Sequence, residues 1–364
     1  MADSPTPDPE IAKRPWYRLR SWIAAMVLLT ALLAVSSAAD ATLAFVRNPL
    51  KPIVWVARDD GSHARRVGPG GTPRVSPDGQ ILVYSPVVGG SFRSELAIAP
   101  ADGSGPARPL LRNWREPFTF AWSPDSSTIA ALRGPELGSR RLVLIDVATG
   151  TQRVVATGYF NGVSFDPEGG RIVYAKAAKE GFPPRTDVYR FDIPIGESVR
   201  FEPPVQLTHD HRSLSPLWGP GGTIVFVKEL GAKQRRYGPK NELFLMNPAG
   251  KAVRRLTHTR VDPLLFGLTP TQWSASGNRL LAEFNGQDTS YAVTVNPRTG
   301  AQRPVTKARE QGFAATALSA DGKSILGMTG GFEPGPGHKV LSIPYGGGHP
   351  KLLAKNAFEP DWSR

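Results

Sequence analysis

From residue 42 onward the chain is punctuated by short apolar runs separated by turn residues. One set of runs follows a recurring polar phrase: Ile81–Tyr84, Ile129–Leu132, Ile172–Tyr174, Ile224–Val227, Leu280–Phe284 and Ile325–Met328. A further set comes after a loop: Leu96–Ala99, Leu142–Ile145, Val188–Phe191, Leu243–Met246, Tyr291–Val295 and Val340–Ile343. A tight turn ending at Gly103, Gly150, Gly196, Gly250, Gly300 or Gly348 comes next, and then another run such as Gln152–Ala156 or Val253–Thr257. Glycine supplies the positive φ that a hairpin needs. The pattern therefore predicts four-stranded antiparallel meanders rather than helices.

The phrase itself is an apolar or aromatic residue, a small residue, Pro, Asp and Gly. It reads Val75-Ser76-Pro77-Asp78-Gly79 and Trp122-Ser123-Pro124-Asp125-Ser126. Degenerate copies begin at Phe165, Trp218, Trp273 and Leu318, and a last one starts at Trp362-Ser363. The mean period is about 48 residues, which is the mark of a repeat architecture. Radial repetition of such meanders gives a β-propeller with only short, protected edges. The C-terminal Ala357–Trp362 supplies one strand, and Leu43–Val46, Ile53–Ala57 and Ala64–Val67 supply three more. Together they predict a seventh blade closed by both ends of the chain; six blades is the alternative if Leu43–Val46 belongs to the N-terminal segment.

These phrases resemble the TolB-type propeller repeat, W-S-P-D-G followed by a strand. Trp122-Ser123-Pro124-Asp125 matches it best, and the resemblance covers residues 42–364. It implies an all-β, seven-bladed propeller. The same repeat occurs in envelope binding proteins, in the propeller caps of serine peptidases and in some lyases, so it implies no single activity. No counterpart of the domain that precedes the propeller in TolB is visible.

Composition sharpens this picture. The 38 Gly and 35 Pro make up a fifth of the 364 residues, a turn inventory that argues against a helical bundle. The 40% hydrophobic content and 8 Trp argue against disorder. The absence of cysteine excludes disulfides, zinc–thiolate sites and thiol catalysis. The net charge of +13 suits an anionic partner. Lys13, Arg14, Arg18 and Arg20 precede an uncharged stretch from Trp22, and Ser36-Ser37-Ala38-Ala39 ends it. Residues 1–39 therefore read as a signal peptide or an N-terminal membrane anchor. Either reading puts the propeller outside the cytoplasm, whether secreted, periplasmic or tethered at the cell envelope. It also makes nucleic acid an unfitting partner.

Within a meander the turns alternate between two ends. The Pro-Asp-Gly phrases and Gly hairpins fall at one end, where Asp78, Asp125 and Asp321 are expected to form turns. Longer, varied segments fall at the other end, among them the basic Lys228–Lys240 and the connection between blades at Gly158-Tyr159-Phe160-Asn161, and variable loops on a rigid scaffold commonly bind. That end carries the candidate binding residues Arg112, Trp114, Arg115, Tyr159, His209, His211, Arg212, His258, Arg260 and Arg309. His209 and His258 each follow Leu-Thr, and a His-x-His pair in extended chain points both rings to one side. His209, His211 and His258 are thus an alternative metal site, serving a polysaccharide lyase or hydrolase. No G-x-S-x-G elbow, dinucleotide fingerprint or phosphate loop is present. The expectation is a monomeric, non-catalytic exported protein without a cofactor. It binds an envelope protein, a peptide or an anionic cell-surface polymer, and only its N-terminal segment touches a membrane.

Overall fold

The computed structural model describes residues 42–87, 95–112, 120–134, 138–177, 179, 185–194, 202–231, 239–260, 265–286, 290–305, 313–330 and 337–363. The expected segment at residues 1–39, the turn at Gly196 and most of Lys228–Lys240 lie outside them. Chain order gives β1 (Thr42–Arg47), β2 (Ile53–Arg58), β3 (Arg65–Val75), β4 (Ile81–Pro86), β5 (Leu96–Pro100) and β6 (Arg108–Leu111). Next come β7 (Phe120–Trp122), β8 (Thr128–Arg133), β9 (Arg140–Asp146), β10 (Gln152–Phe165), β11 (Arg171–Ala177), β12 (Thr186–Asp192) and β13 (Val205–Gln206). They are followed by β14 (Ser213–Trp218), β15 (Ile224–Leu230), β16 (Lys240–Met246), β17 (Arg254–Arg255), β18 (Leu265–Trp273), β19 (Leu280–Gly286), β20 (Ser290–Val295) and β21 (Gln302–Pro304). The last are β22 (Ala314–Leu318), β23 (Ser324–Met328), β24 (Lys339–Pro344), β25 (Lys351–Lys355) and β26 (Ala357–Trp362).

Pairing groups these strands into antiparallel meanders. Blade 1 is the second half of β3 with β4, β5 and β6; blade 2 is β7, β8, β9 and the first half of β10. Blade 3 is the rest of β10 with β11, β12 and β13. Blades 4, 5 and 6 are β14–β17, β18–β21 and β22–β25. The seventh group is β26, β1, β2 and the first half of β3, so both chain ends share it as expected.

All the repeat phrases but the fourth are side-chain hydrogen-bonded staples. Ser76 Oγ donates to Asp78 at 2.5 Å and accepts the Ile81 N–H at 2.9 Å. Ser123 with Thr128, Ser274 with Arg279 and Ser319 with Ser324 repeat the acceptance. In the third phrase a carboxylate, Asp166, takes the hydroxyl's place. The closing blade makes the same contact between chain ends, where the Thr42 N–H donates to Ser363 Oγ at 2.9 Å and the Ser363 N–H donates to Thr42 O.

Both faces of every blade are apolar, and seven buried clusters lie between neighbouring blades. Val83 and Leu96 meet Ile129 and Val143 between blades 1 and 2. Leu142 meets Tyr174 between 2 and 3, and Val173 meets Phe226 between 3 and 4. Leu243 meets Leu280 between 4 and 5, and Leu281 meets Ile325 between 5 and 6. Leu326 packs with Phe45 and Trp362 between 6 and 7, and Val54 with Leu82 between 7 and 1. The sequence of contacts returns to its start, as a closed ring requires.

The reading of Gly158-Tyr159-Phe160-Asn161 as a loop between blades is corrected. These residues lie inside β10, which passes from blade 2 to blade 3 without leaving the sheet. A bulge between Asn161 and Val163, with Gly162 at φ 76°, bends the strand there. β3 makes the same passage from the closing blade into blade 1.

Trp362→Ala is expected to destabilise the fold by about 3–5 kcal/mol, and Ser363→Ala by about 1 kcal/mol, in denaturant unfolding. Deleting residues 357–364 is expected to abolish cooperative unfolding by circular dichroism.

The turn aspartates set an acid limit. Hydrogen bonds from Ser62, Ser104 and Thr149 hold Asp60, Asp102 and Asp146 below the usual carboxylate range. At Asp125 burial pushes upward, but hydrogen bonds from Ser123 and Ser127 outweigh it. Ser319, with the Lys323 N–H, brings Asp321 down to about 2. Groups depressed on folding stabilise fully above their unfolded pKa of about 4, and that contribution disappears as pH falls through the folded value. Thermal melts are therefore expected to drop between about pH 4 and 2, with the lower part of the drop reduced in Asp321→Asn.

Candidate functional site

The end of the propeller opposite the staples is built on two buried carboxylates in blades 3 and 4. Asp187 stands near the start of β12 and is 3% exposed. It accepts the Thr208 hydroxyl at 3.1 Å and the His211 N–H at 3.0 Å. His211 Nδ1 lies 2.6 Å from its other oxygen. An ionised carboxylate only accepts, so Nδ1 carries the proton and Nε2 is left for the outside. Glu242 occupies the corresponding place in β16 and is fully buried. It accepts the Thr257 and Thr259 hydroxyls and the Thr259 N–H, and pairs with Lys240 at 2.7 Å and Arg255 at 3.0 Å. In each blade one acid thus anchors the Leu-Thr-His connection that follows the outer strand.

Other polar groups complete this end. Asp210 pairs with Lys228 at 2.6 Å, whose ammonium also lies over the Phe244 ring. Burial pushes the Asp210 carboxyl upward, but hydrogen bonds from Lys228, Ser213 and the Arg212 N–H hold it below the ordinary range. Burial raises Glu229 despite the charge of Arg212. Burial likewise raises Glu283, against a hydrogen bond from Ser290. Asn161 Oδ1 accepts the Ser215 N–H and hydroxyl, tying the inner strands of blades 3 and 4 together.

The sequence candidates divide accordingly. Arg112, His209, Arg212, His258 and Arg260 are exposed at this end, and Tyr159 is half-buried within β10. Trp114, Arg115 and Arg309 lie outside the described residues. At the alternative metal site, His209, His211 and His258, one ring already has a partner. The His211 ring is held by Asp187, and among the described residues no group of three or more His, Asp or Glu is arranged to hold a metal. Sequence reasoning passed over Asp187 and Glu242. The available signal was an acid directly before Val188 and Leu243, at matching offsets in adjacent repeats.

No protein-family profile and no curated protein matches the sequence. Solved structures do match it. TolB from Acinetobacter baumannii superposes with a TM-score of 0.54 and 17% identity, covering 96% of this chain and 74% of that one. The β-propeller domain of the Trilobed protease from Pyrococcus furiosus gives 0.57 and 12%, covering 86% and 93%. The chain therefore has a β-propeller fold like that of TolB. An oligogalacturonate lyase in complex with manganese also shares the fold, with a TM-score of 0.57, 15% identity and coverage of 86% and 84%. At such identities likeness establishes architecture and not activity.

Asp187→Asn is expected to cost this propeller about 1–3 kcal/mol, because it weakens the acceptor on which four donors converge, the Gln206 amide among them. Hydrogen exchange should show faster opening at residues 208–213 and unchanged protection in blades 1, 2 and 5. Glu242→Gln is expected to cost about 2–4 kcal/mol, since two partly exposed cations lose their common partner.

Proposed function

We propose that this TolB-like propeller is a non-catalytic, exported envelope protein that binds an acidic protein segment, peptide or anionic polymer at the end opposite its staples. The carrying observation is the sorting of charge at that end. The acids Asp187, Glu229 and Glu242 are buried, and Asp210 is tied to Lys228. The cations Arg112, Arg212 and Arg260 and the imidazoles of His209 and His258 are exposed. Inward acids fix the connections, and outward cations present positive charge on a rigid frame, which favours anionic partners. The basic stretch and apolar run before Ala39 support export.

The test is capture of partners from envelope extract on immobilised protein. Replacing Arg112, Arg212 and Arg260 together by Glu is expected to weaken retention at least 10-fold. Lys251→Glu, an exposed change at the opposite end, should leave it intact. Retention should also fall with added salt, because exposed charges are screened. Retention by the triple variant equal to that of the parent would place the binding surface elsewhere.

A further inference from the structure

The stapled end has its own irregularity. Six phrases place a side-chain acceptor at the second position, namely Ser76, Ser123, Asp166, Ser274, Ser319 and Ser363. The fourth phrase has Gly219 there, and Gly221 where the acid would stand. No side chain fits at Gly219: a Cβ would lie 2.7 Å from Trp273 Cε2 and 2.9 Å from Cδ2 and Nε1. The indole of the fifth phrase therefore rests on the backbone of the fourth.

This arrangement leaves a crevice of about 600 Å³ between blades 4 and 5, within the range of small-ligand sites. Trp273, Met246, Pro248 and Pro297 give it apolar walls, and its charged lining residues are Arg254 and Arg298. Both arginines are exposed, and one Arg254 N–H donates to Pro297 O across the crevice at 3.2 Å. A guanidinium has five donors, so most of Arg254's remain for a ligand. The corresponding crevice between blades 6 and 7, about 370 Å³, has the opposite character. There Trp362 lies beside Asp59, Asp60 and Asp321, with Lys351. The same place in the fold is acidic between blades 6 and 7, where the sixth phrase retains Asp321, and basic between blades 4 and 5, where the fourth has Gly221.

We propose that the crevice between blades 4 and 5 binds a small organic carboxylate, its apolar ring or chain against Trp273 and its carboxylate on Arg254 and Arg298. Apolar walls alone would accept a neutral molecule. Two arginines with no acid in the lining select an anion, and a planar guanidinium matches a carboxylate in two-point contact. A free acid and the C-terminal residue of a peptide share this chemistry. The site lies at the opposite end from the loop-rich surface and is independent of it.

The test uses ¹⁵N-labelled full-length protein titrated with 3-phenylpropionate, N-acetylphenylalanine and their two amides. The Trp273 indole N–H, which has no hydrogen-bond partner among the described residues, is the reporter; Trp273→Phe assigns it. A saturable shift with an acid is expected, at least 10-fold weaker with its amide and absent at Trp362. Preference for N-acetylphenylalanine would assign a peptide end, and preference for 3-phenylpropionate a free acid.

Gly221 supplies the variants. It sits at φ 69°, which Asn and Asp also adopt, and nothing lies within 4 Å of a Cβ there. Gly221→Asp should abolish binding by calorimetry, a readout that needs no assignment, whereas Gly221→Asn should keep it. Arg254→Gln with Arg298→Gln should lower affinity at least 10-fold, and the Lys pair should recover part. Equal response to acid and amide, a matching shift at Trp362, a shift that never saturates, or equal binding by the two Gly221 variants would overturn the proposal.

Discussion

A four-stranded blade with two apolar faces is stable only with a neighbour on each side. That constraint governs the rest of the molecule. A linear stack would leave two outer faces in water, each with several side chains worth about 1.5–3 kcal/mol when buried. Closing the ring removes both, provided that the seventh blade is assembled from the two ends of the chain. The closure repeats the internal geometry. The Thr42 N–H meets Ser363 Oγ as the Ile81 N–H meets Ser76 Oγ. A break in covalent continuity is thus spanned by the hydrogen bonds that span the turns elsewhere. Trp362 then fills the gap between blades 6 and 7 as Trp218 fills that between 3 and 4.

Closing the ring leaves one exposure that it cannot cure, since the outer strand of each blade has an unpaired edge. The outer strands are short in places, with two residues in each of β13 and β17. Several carry cations: Arg65 and Arg66 in β3, Arg108 in β6, Arg153 in β10, Arg254 and Arg255 in β17, Arg303 in β21, and Lys351 and Lys355 in β25. Short, charged edges resist edge-to-edge pairing with other chains. Much of the basic excess is therefore a property of the rim, and the positive charge at the loop-rich end is only a part of it.

The repeat was legible because the staple needs particular residues: a hydroxyl to accept an N–H, an acid to hold the hydroxyl, and a residue at positive φ to turn, here Gly79, Ser126 and Gly322. Those demands recur at Ser76, Ser123 and Ser319 and made the fold readable without any long-range information. What stayed hidden depended on contacts between repeats or across a blade. Gly158 to Asn161 carry loop residues, yet a bulge at Gly162 lets one strand serve two blades. Asp187 and Glu242 lie 21 and 15 residues before Thr208 and Thr257, which they hold within the same blade, so spacing alone did not couple them. The paired histidines had the right sidedness for a metal, but sequence could not show that a carboxylate already held His211.

Departures from a repeat carry more information than its matches, because a match is explained by folding alone. Losing the serine staple at Gly219 removes a hydrogen bond worth about 1 kcal/mol, a cost the closed ring spreads over its many other contacts. The Trp273 ring occupies the space that a serine would have needed, so the exchange is specific to this pair of blades. Loss of the acid at Gly221 brings no packing of its own, since nothing lies near its Cβ. Folding does not require that change. Its effect is electrostatic, leaving Arg254 and Arg298 unopposed in the lining of a crevice whose counterpart between blades 6 and 7 keeps Asp321.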